Sequence, residues 1–259
     1  MSWSAEQYVA FEDERTRPVR DLLAAVLTAT PRRAVDLGCG PGNSTEVLAG
    51  RFPGAHILGL DASADMIEAA RERLPRLEFQ QRDLRDWVHE DNDGPVDFIL
   101  SNAVLQWVPD HAHLLPALLD RLGAQGLLAV QIPDNLAEPV QRLMHEVASA
   151  GPWAARLAEA EGARVLIETP EWYYGLLASR GVHVEVWRTT YHHPLRGVDA
   201  VVDWFRSTGL RPYLDPLEPG ERQAFLEQYR ERLRAVFTPL ADGTVLLPFP
   251  RLFILAQRR

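Results

Sequence analysis

Short apolar runs alternate with amphipathic segments along the first half of the chain. The runs that end at Asp36, Asp61 and Ser101 are short and rich in Val, Ile and Leu, which is typical of buried strands. Apolar residues recur at helical spacing between these runs, and also over Arg17–Leu27, before the first of them. This alternation predicts parallel strands joined by crossover helices, and therefore an α/β fold.

The second half of the chain continues the alternation. Residues 126–132, Val182–Thr190 and Leu247–Gln257 are predicted as the fifth, sixth and seventh strands. The predicted helices of this half are Leu136–Ala150, Pro170–Ser179, Val198–Ser207 and Pro219–Val236. The last two helices lie between strands six and seven and are predicted to form a helical cap.

The most informative segment is the loop that follows the first strand. Glycine occupies positions 38, 40 and 42, directly after Asp36. Glycine permits positive φ and lets a ligand approach the backbone, and α/β folds bind nucleotide-like cofactors at this turn. The dinucleotide pattern G-x-G-x-x-G would need glycine where the chain has Asn43. A plain tight turn without a ligand is the open alternative.

A carboxylate follows the second strand at Asp61, nineteen positions after Gly42. An acid at this strand tip is placed to accept hydrogen bonds from both hydroxyls of a ribose. The alternative is that Asp61 caps the next helix, although Ser63 could supply that cap instead.

The glycine loop resembles motif I of the class I S-adenosylmethionine (SAM)-dependent methyltransferases, and the resemblance implies SAM as cofactor. A third predicted strand, Leu77–Gln80, leads to Asp83. In this family an acid here accepts the adenine amino group, and the next backbone N–H, here that of Leu84, meets a ring nitrogen. A solvated acid beside Arg82 and Arg85 is the competing interpretation.

The segment after the fourth strand, from Asn102 to Asp110, resembles the family motif that passes beneath the sulfonium end of SAM. The cofactor-binding residues that the resemblance implies are Asp36, Gly38, Cys39, Gly40, Pro41, Gly42, Asn43, Asp61, Ala62, Met66, Asp83, Leu84, Asn102, Ala103 and Trp107.

A more specific resemblance covers nearly the whole chain and weakens only over residues 150–168. It rests on Y-x-x-F from Tyr8, L-Q-W-V-P-D-H from Leu105, L-A-V-Q-I-P-D-N from Leu128, W-R-T-T-Y from Trp187, T-G-L-R-P from Thr208 and F-P-R-L-F-I from Phe249. These segments are similar to the trans-aconitate 2-methyltransferase family. The resemblance implies a Rossmann-like, seven-stranded, mostly parallel sheet with an antiparallel seventh strand and helices on both faces. It also implies one domain over residues 1–259, with an N-terminal lid at 1–18 and a helical cap at about 191–246.

The activity implied by the resemblance is O-methylation of one carboxylate of trans-aconitate, giving a monomethyl ester and S-adenosylhomocysteine. A carboxylate has a pKa near 4 and is already an anion at pH 7. We therefore expect no general base, no other catalytic side chain and no metal, and catalysis by positioning.

Residues for the anionic substrate are expected where strand six ends and strand seven begins. If strand seven is antiparallel, these points share the carboxyl edge of the sheet, where open α/β sheets bind ligands. The predicted substrate-binding residues are Arg251, Arg211, Tyr191, His192, Trp107 and Tyr8. The alternative for each arginine is solvation or pairing with a surface acid, such as Asp242 for Arg251.

Composition sets limits on partners and location. The net charge of −9 argues against nucleic acid as a partner, and all 27 basic side chains are arginine. The start of the chain shows no secretory pattern, and no apolar run reaches the 18 or so residues that a membrane span needs. The single cysteine suits a reducing compartment, so a cytoplasmic location is expected.

Two chemical alternatives are weaker. Cys39 could be a nucleophile, but it lies where the glycine loop needs a small residue, and methyl transfer from SAM needs no thiol. His192 and His193 are adjacent in an extended segment, so they point to opposite faces and form a poor metal pair.

Three competing functions remain open. The first is a SAM-dependent methyltransferase with another acceptor, such as a small polycarboxylate or malonyl-acyl carrier protein. The second is an NAD-dependent oxidoreductase, which Asn43 and the lack of a recognisable catalytic dyad disfavour. The third is a SAM-binding module without turnover.

Overall fold

A computed structural model describes residues 12–27, 29–90, 94–158, 164–206 and 208–259. Its seven strands form one sheet in the order β3-β2-β1-β4-β5-β7-β6. The sheet is mostly parallel with an antiparallel β7, which confirms the predicted fold class. The strands are β1 Arg33–Leu37, β2 His56–Asp61, β3 Glu78–Gln81, β4 Val96–Asn102, β5 Leu122–Pro133, β6 His183–Arg196 and β7 Thr244–Gln257.

The α-helices of the described residues are α1 Glu12–Ala24, α2 Asn43–Arg51, α3 Ala64–Arg73, α4 Leu84–His89, α5 His111–Asp120, α6 Pro139–Ala150, α7 Ala154–Leu157, α8 Pro170–Ala178, α9 Gly197–Arg206, α10 Arg211–Leu214 and α11 Pro219–Val236. A 3₁₀ turn spans Leu105–Trp107.

Most predicted helices are present, and the differences have local causes. Helix α1 begins at Glu12 rather than Arg17 and runs through Pro18. Proline costs a backbone hydrogen bond there, and the complete burial of Val19 and Leu22 offsets that cost. The short helix α10 was not predicted, because four residues are too few to show helical periodicity.

The register of the parallel strands brings the predicted site residues to one edge of the sheet. Asp36 of β1 pairs with Gly59 of β2, and Asp61 of β2 pairs with Gln81 of β3. On the other side of β1, Leu37 pairs with Ser101 of β4. The loops that follow β1, β2, β3 and β4 therefore leave the sheet at a common edge.

The chain divides into two compact units. The first unit comprises residues 1–132, 167–188 and 252–259. Its main core contains Trp87, Leu115, Tyr173 and Ile254, each with no exposed surface. Burial of each such side chain stabilises the fold by roughly 1.5–3 kcal/mol, so this core accounts for much of the unit's stability.

The second unit comprises residues 133–166 and 189–251. The Trp153 and Phe225 rings pack with centroids 5.5 Å apart, and the buried Tyr229 hydroxyl donates to the Val140 carbonyl at 3.1 Å. Helix α11 starts where predicted because a capping box with Glu218 satisfies its first amides. The single-domain, lid and cap boundaries remain predictions, and residues 1–11 of the predicted lid lie outside the described residues.

The described residues contain neither a candidate membrane-spanning helix nor a candidate metal cluster. None of the helices that they form combines the length and apolar character that crossing a membrane requires. The same residues contain no group of three or more His, Cys, Asp or Glu side chains placed to hold a metal ion.

Gly59, in the middle of β2, generates a packing prediction. A Cβ at this position would lie 2.5 Å from the Phe79 ring and 3.1 Å from Cys39 Sγ. Gly59→Ala should therefore lower the free energy of unfolding by about 1–3 kcal/mol through overpacking, measured by urea denaturation.

Gly54→Ala is the matched control, since a Cβ there meets nothing within 4 Å. Adding Phe79→Leu to Gly59→Ala should restore part of the loss. Equal stability of the Gly59 and Gly54 variants would contradict the packing argument.

Candidate cofactor and acceptor sites

The loop after β1 needs its glycines for two separate reasons. Gly38, Gly40 and Gly42 have φ angles of 64°, 53° and 92°, which disfavour other residues. A Cβ at Gly38 would lie 2.2 Å from Val104 Cγ2, so this glycine also permits close packing. At Gly40 a Cβ would meet nothing within 4 Å, which leaves open space beside the backbone.

Asp36 is completely buried at the end of β1. Its Oδ2 accepts hydrogen bonds from the Ser44 and Thr45 hydroxyls, both at 2.7 Å, and these bonds join β1 to the first turn of α2. Burial is the main cause that raises the pKa of Asp36 from 3.8 to about 7. This geometry gives Asp36 a role in positioning the loop, and direct cofactor contact remains a prediction.

Asp61 connects the glycine loop to the start of α3. Its Oδ2 accepts the Gly40 amide at 3.0 Å, and its Oδ1 accepts the Ser63 amide at 2.9 Å. Ser63 occupies the N-cap position but makes no side-chain capping bond, so the expectation that Ser63 supplies the cap is wrong. Because a carboxylate has about four acceptor positions, Asp61 retains capacity for ribose hydroxyls. Burial raises its pKa.

Asp83 is the N-cap of α4 and is held by Arg85. Its carboxylate accepts the Arg85 amide at 2.8 Å and the guanidinium at 3.0 and 2.6 Å. The Arg85 hydrogen bonds lower the pKa of Asp83. Arg82 pairs instead with Glu90. Asp83 therefore contacts Arg85, as the competing interpretation expects. The adenine role of Asp83 and Leu84 remains a prediction.

The loop after β4 holds a strained residue. Ala103 has a φ of 57°, in the left-handed region that costs a non-glycine residue about 1–3 kcal/mol. Its amide donates to the Gln131 carbonyl at 2.9 Å, and Gln106 Nε2 donates to its carbonyl at 2.7 Å. These bonds stabilise the loop that carries Asn102 and the half-buried Trp107.

His111 supports the same loop and was missed by sequence reasoning. Its Nε2 lies 2.9 Å from the Leu105 carbonyl, and its Nδ1 lies 2.7 Å from the Tyr173 hydroxyl. A carbonyl can only accept, so Nε2 carries the proton and Nδ1 accepts from Tyr173. The sequence shows only a histidine at a helix start, which gives no sign of this contact.

These loops enclose a cleft of about 50 Å³ in the first unit. The Oδ1 atoms of Asn43 and Asn102, as the structure places them, are buried and have no hydrogen-bond partner within the described ranges. Free acceptors beside the carboxylates of Asp36 and Asp61 suit a cationic ligand, and the open space at Gly40 suits close approach. The cleft is far smaller than SAM, and its acceptors fit the cationic groups of that cofactor. The lining residues are Thr16, Val19, Gly38, Cys39, Gly40, Pro41, Asn43, Ser44, Asn102 and Ala103.

The remaining predicted cofactor residues flank this region. Ala62 is exposed, and its carbonyl accepts from Gln81 Nε2 at 3.2 Å. Met66 is buried in α3. Burial raises the pKa of the Cys39 thiol far above its ordinary value, so the thiol remains protonated at neutral pH. This supports Cys39 as a small loop residue and not as a nucleophile.

The two predicted substrate arginines lie in the second unit. Arg251 is only 4% exposed, and its guanidinium carbon lies 4.6 Å from the centre of the Phe249 ring. Asp242 accepts the Thr244 amide on an exposed turn. Arg211 forms a 3.5 Å ion pair with Asp215, one turn further along the chain. Arg251 is therefore a buried residue, whereas Arg211 already contacts a surface acid.

Alternation along β6 separates the other predicted substrate residues. Tyr191 and His193 are buried and their rings stack at 6.3 Å, whereas His192 is exposed. The structure therefore does not bring His192 together with Tyr191. Tyr8 lies outside the described residues.

Arg164 is a further candidate that sequence reasoning missed, because resemblance is weak over 150–168. Its Nη1 donates to Asn135 Oδ1 at 3.0 Å. Burial lowers its pKa from 12.5 to about 10, and nearby Tyr213 acts in the opposite direction. The side chain therefore remains a cation at neutral pH.

Comparison with known proteins identifies close relatives. A family model described as "Methyltransferase domain" matches residues 34–126. Trans-aconitate 2-methyltransferase of Methylobacterium radiotolerans is 52% identical over 99% of this chain and 98% of its own length. The protein of the same name from Rhizobium rhizogenes is 46% identical over the whole of both chains.

Solved structures extend the comparison of the fold. The YcgJ protein of Bacillus subtilis has a TM-score of 0.60 at 14% identity and covers 94% of this chain and 98% of its own. Phosphoethanolamine N-methyltransferase 2 of Haemonchus contortus, in complex with SAM, has a TM-score of 0.55 at 15% identity. The match covers 94% of this chain and 53% of the Haemonchus contortus protein. At these identities the likeness shows the fold alone.

The buried Asp36 generates a prediction about pH. Between its ordinary pKa of 3.8 and its folded pKa of about 7, the folded state holds a proton that the unfolded state releases. Asp36 should therefore cost stability as pH rises through this window. Between pH 5 and pH 8 this titration should lower the unfolding free energy of wild type by about 2–3 kcal/mol. Asp36→Asn should not show this loss.

The comparison uses urea denaturation at both pH values without cofactor. Asn retains an oxygen that accepts from Ser44 and Thr45, so both hydroxyls keep an acceptor. Asp61 also faces Asp36, and its charge acts in the same direction. Parallel pH profiles of the two proteins would overturn the assignment.

The Asp61 carboxylate generates a second prediction. Asp61→Ala should weaken SAM binding by about 2–4 kcal/mol through the loss of charge-assisted hydrogen bonds to the ribose. It should also lower stability by about 1–2 kcal/mol, because the Gly40 and Ser63 amides lose their acceptor. Calorimetric titration with SAM and urea denaturation measure the two effects.

Asp65→Ala, at an exposed site in the first turn of α3, is the control. If folded Asp61→Ala binds SAM as tightly as Asp65→Ala does, Asp61 is not part of the cofactor site.

Proposed function

We propose, from the premise that the chain belongs to the trans-aconitate 2-methyltransferase family, that it methylates one carboxylate of trans-aconitate. SAM is the methyl donor, and the products are the monomethyl ester and S-adenosylhomocysteine. The observation that carries this function is 46–52% identity to enzymes of that name over nearly the whole chain. The similarity therefore includes the second unit, where the predicted substrate arginines lie.

The first unit contributes the cofactor site. When bound, SAM supplies an electrophilic methyl group on a sulfonium centre. The glycine loop allows close approach to its backbone, and Asp61 accepts ribose hydroxyls. The free acceptors of Asn43 and Asn102 favour the cationic part of the ligand. These residue roles are proposals supported by the cleft geometry.

The acceptor needs binding and orientation more than acid–base catalysis. Its carboxylates are already ionised at neutral pH, so no side chain has to remove a proton. Alignment of the reacting oxygen with the methyl carbon can supply much of the rate enhancement. Exclusion of water helps as well, because the opposite charges of carboxylate and sulfonium are better solvated apart.

Arg251 is the principal anion-binding residue of the proposal. It is buried on the Phe249 ring, so its charge is poorly screened, and its planar fork matches a carboxylate. At Arg211 a substrate carboxylate must compete with Asp215. Tyr191 and Trp107 remain secondary contacts, and His192 is not retained.

The binding partner and the cellular location are also part of the proposal. A small anionic polycarboxylate is the partner, and the net charge of −9 argues against nucleic acid. The single cysteine suits a cytoplasmic location.

A SAM turnover assay across several acceptors tests the function. Trans-aconitate should be methylated with a higher kcat/KM than cis-aconitate, citrate or malonyl-acyl carrier protein. Preference for the carrier protein would favour the alternative acceptor, and SAM binding without turnover would favour a binding module.

Arg251 generates the kinetic prediction. Arg251→Met should raise the Michaelis constant for trans-aconitate by about 30- to 1,000-fold, equivalent to roughly 2–4 kcal/mol of binding. Arg251→Lys should fall between this variant and wild type, because it keeps the charge but loses the fork. Steady-state kinetics measure both, and SAM affinity should stay within a few-fold.

Arg196→Met, which removes an exposed arginine of β6, is the control. A Michaelis constant for Arg251→Met within twofold of wild type would exclude Arg251 from the acceptor site.

A further inference from the structure

Trans-aconitate carries three carboxylates, of which one reacts, so two anionic groups remain for recognition. This inference rests on the proposed function. Arg251 accounts for one of these groups, and a dedicated site for the other would explain selection of a tricarboxylate over a dicarboxylate. Such a site needs a cation with neutral donors, largely removed from water.

Asn135 provides one donor. It is 1% exposed, and its Oδ1 accepts from Arg164 Nη1 at 3.0 Å. A guanidinium has only donors, so the atom facing it must be the oxygen, which fixes the orientation of the amide. The other end, Nδ2, is buried and makes no hydrogen bond within the described ranges. A buried amide donor without an acceptor is costly, and a ligand carboxylate would satisfy it.

Arg164 provides the cation. Its Nη1 contacts Asn135, its Nη2 lies 3.5 Å from the Pro133 carbonyl, and its side chain is half-buried. These contacts hold the guanidinium beside the Asn135 amide. Its partial exposure gives a ligand access from solvent.

The surroundings agree with an acceptor site. The Asp134 amide donates to the Pro250 carbonyl at 2.9 Å, so Asn135 and Arg251 each lie one residue from a shared backbone contact. The buried Tyr213 lies near Arg164, and its hydroxyl is 3.2 Å from His145 Nδ1. In the second unit one backbone hydrogen bond thus joins the segment of Arg251 to that of Asn135, and Asn135 in turn binds Arg164.

We propose that Arg164 and Asn135 form a carboxylate subsite in the second unit that binds a non-reacting carboxylate of the acceptor. Arg164 supplies charge and Asn135 supplies the amide N–H. The subsite sets specificity for the number of carboxylates and takes no part in methyl transfer itself.

Substrate truncation separates recognition from a structural role. Mesaconate replaces the carboxymethyl arm of trans-aconitate with methyl, glutaconate lacks the central carboxylate, and itaconate lacks the third carboxylate, on the alkene CH. Affinity for each is measured by calorimetry in the presence of S-adenosylhomocysteine. Arg164→Met should weaken trans-aconitate binding by about 10- to 150-fold, the range for hydrogen bonds to charged groups. For the one analogue that lacks the carboxylate held by the subsite, Arg164→Met should weaken binding by less than threefold.

Asn135→Asp is the second variant and changes almost no volume. The new carboxylate still accepts from Arg164, whose charge offsets part of the cost of burying it, so the variant should fold, which urea denaturation checks. It should weaken trans-aconitate binding by about 10-fold or more, since it removes the donor and repels the ligand. A purely structural Asn135 predicts unchanged affinity in this variant.

Arg142→Met is the matched control, because Arg142 is an exposed arginine of α6 in the same unit. The subsite is overturned if Arg164→Met binds trans-aconitate as tightly as Arg142→Met does. Equal losses for trans-aconitate and all three analogues would overturn it as well. If wild type neither binds nor methylates trans-aconitate, the proposed function itself fails.

Discussion

The buried carboxylate of Asp36 is the interaction on which the cofactor site depends. Ser44 and Thr45 donate to one of its oxygens, so the end of β1 and the first turn of α2 are fixed at both ends of the glycine loop. The three glycines can then adopt positive φ without leaving the loop free to change shape. Asp61 adds a contact from β2 to Gly40, so adjacent strands hold the same loop. Hydrogen bonds within the protein therefore fix the loop geometry.

Parallel register extends this constraint to the other loops. β1, β2 and β4 end together, which places Asp61 and Asn102 at the same edge as the glycines. The strained Ala103 persists because Gln106 and Gln131 bind its backbone on both sides. The first unit thus concentrates acceptors and carboxylates, which suits a cationic cofactor and disfavours an anionic acceptor.

The first unit was largely predictable because its signals are local. Strand ends, glycine spacing and acids at strand tips lie within a few residues of the groups that they position, and the predicted strands and most helices are present. The role of Ser63 was not predictable, since cap residue identity does not show which side chain makes the bond. Arg164 and His111 were missed because their contacts are long-range: Arg164 binds a residue 29 positions away, and His111 binds one 62 positions away.

The chain contains no lysine, and its buried cations show how arginine differs from lysine in keeping its charge. Burial lowers the pKa of Arg164 to about 10, which leaves the guanidinium fully charged at neutral pH. A lysine begins near 10.4, and a similar lowering would bring its pKa to about 8, which leaves roughly a tenth of the ammonium neutral at pH 7. Arginine also retains its planar fork when it packs on an aromatic ring, as Arg251 does on Phe249. An enzyme whose acceptor is already an anion needs no base. Its selectivity depends on cations that remain charged out of water, and arginine meets that requirement with a wider margin than lysine and adds the planar fork.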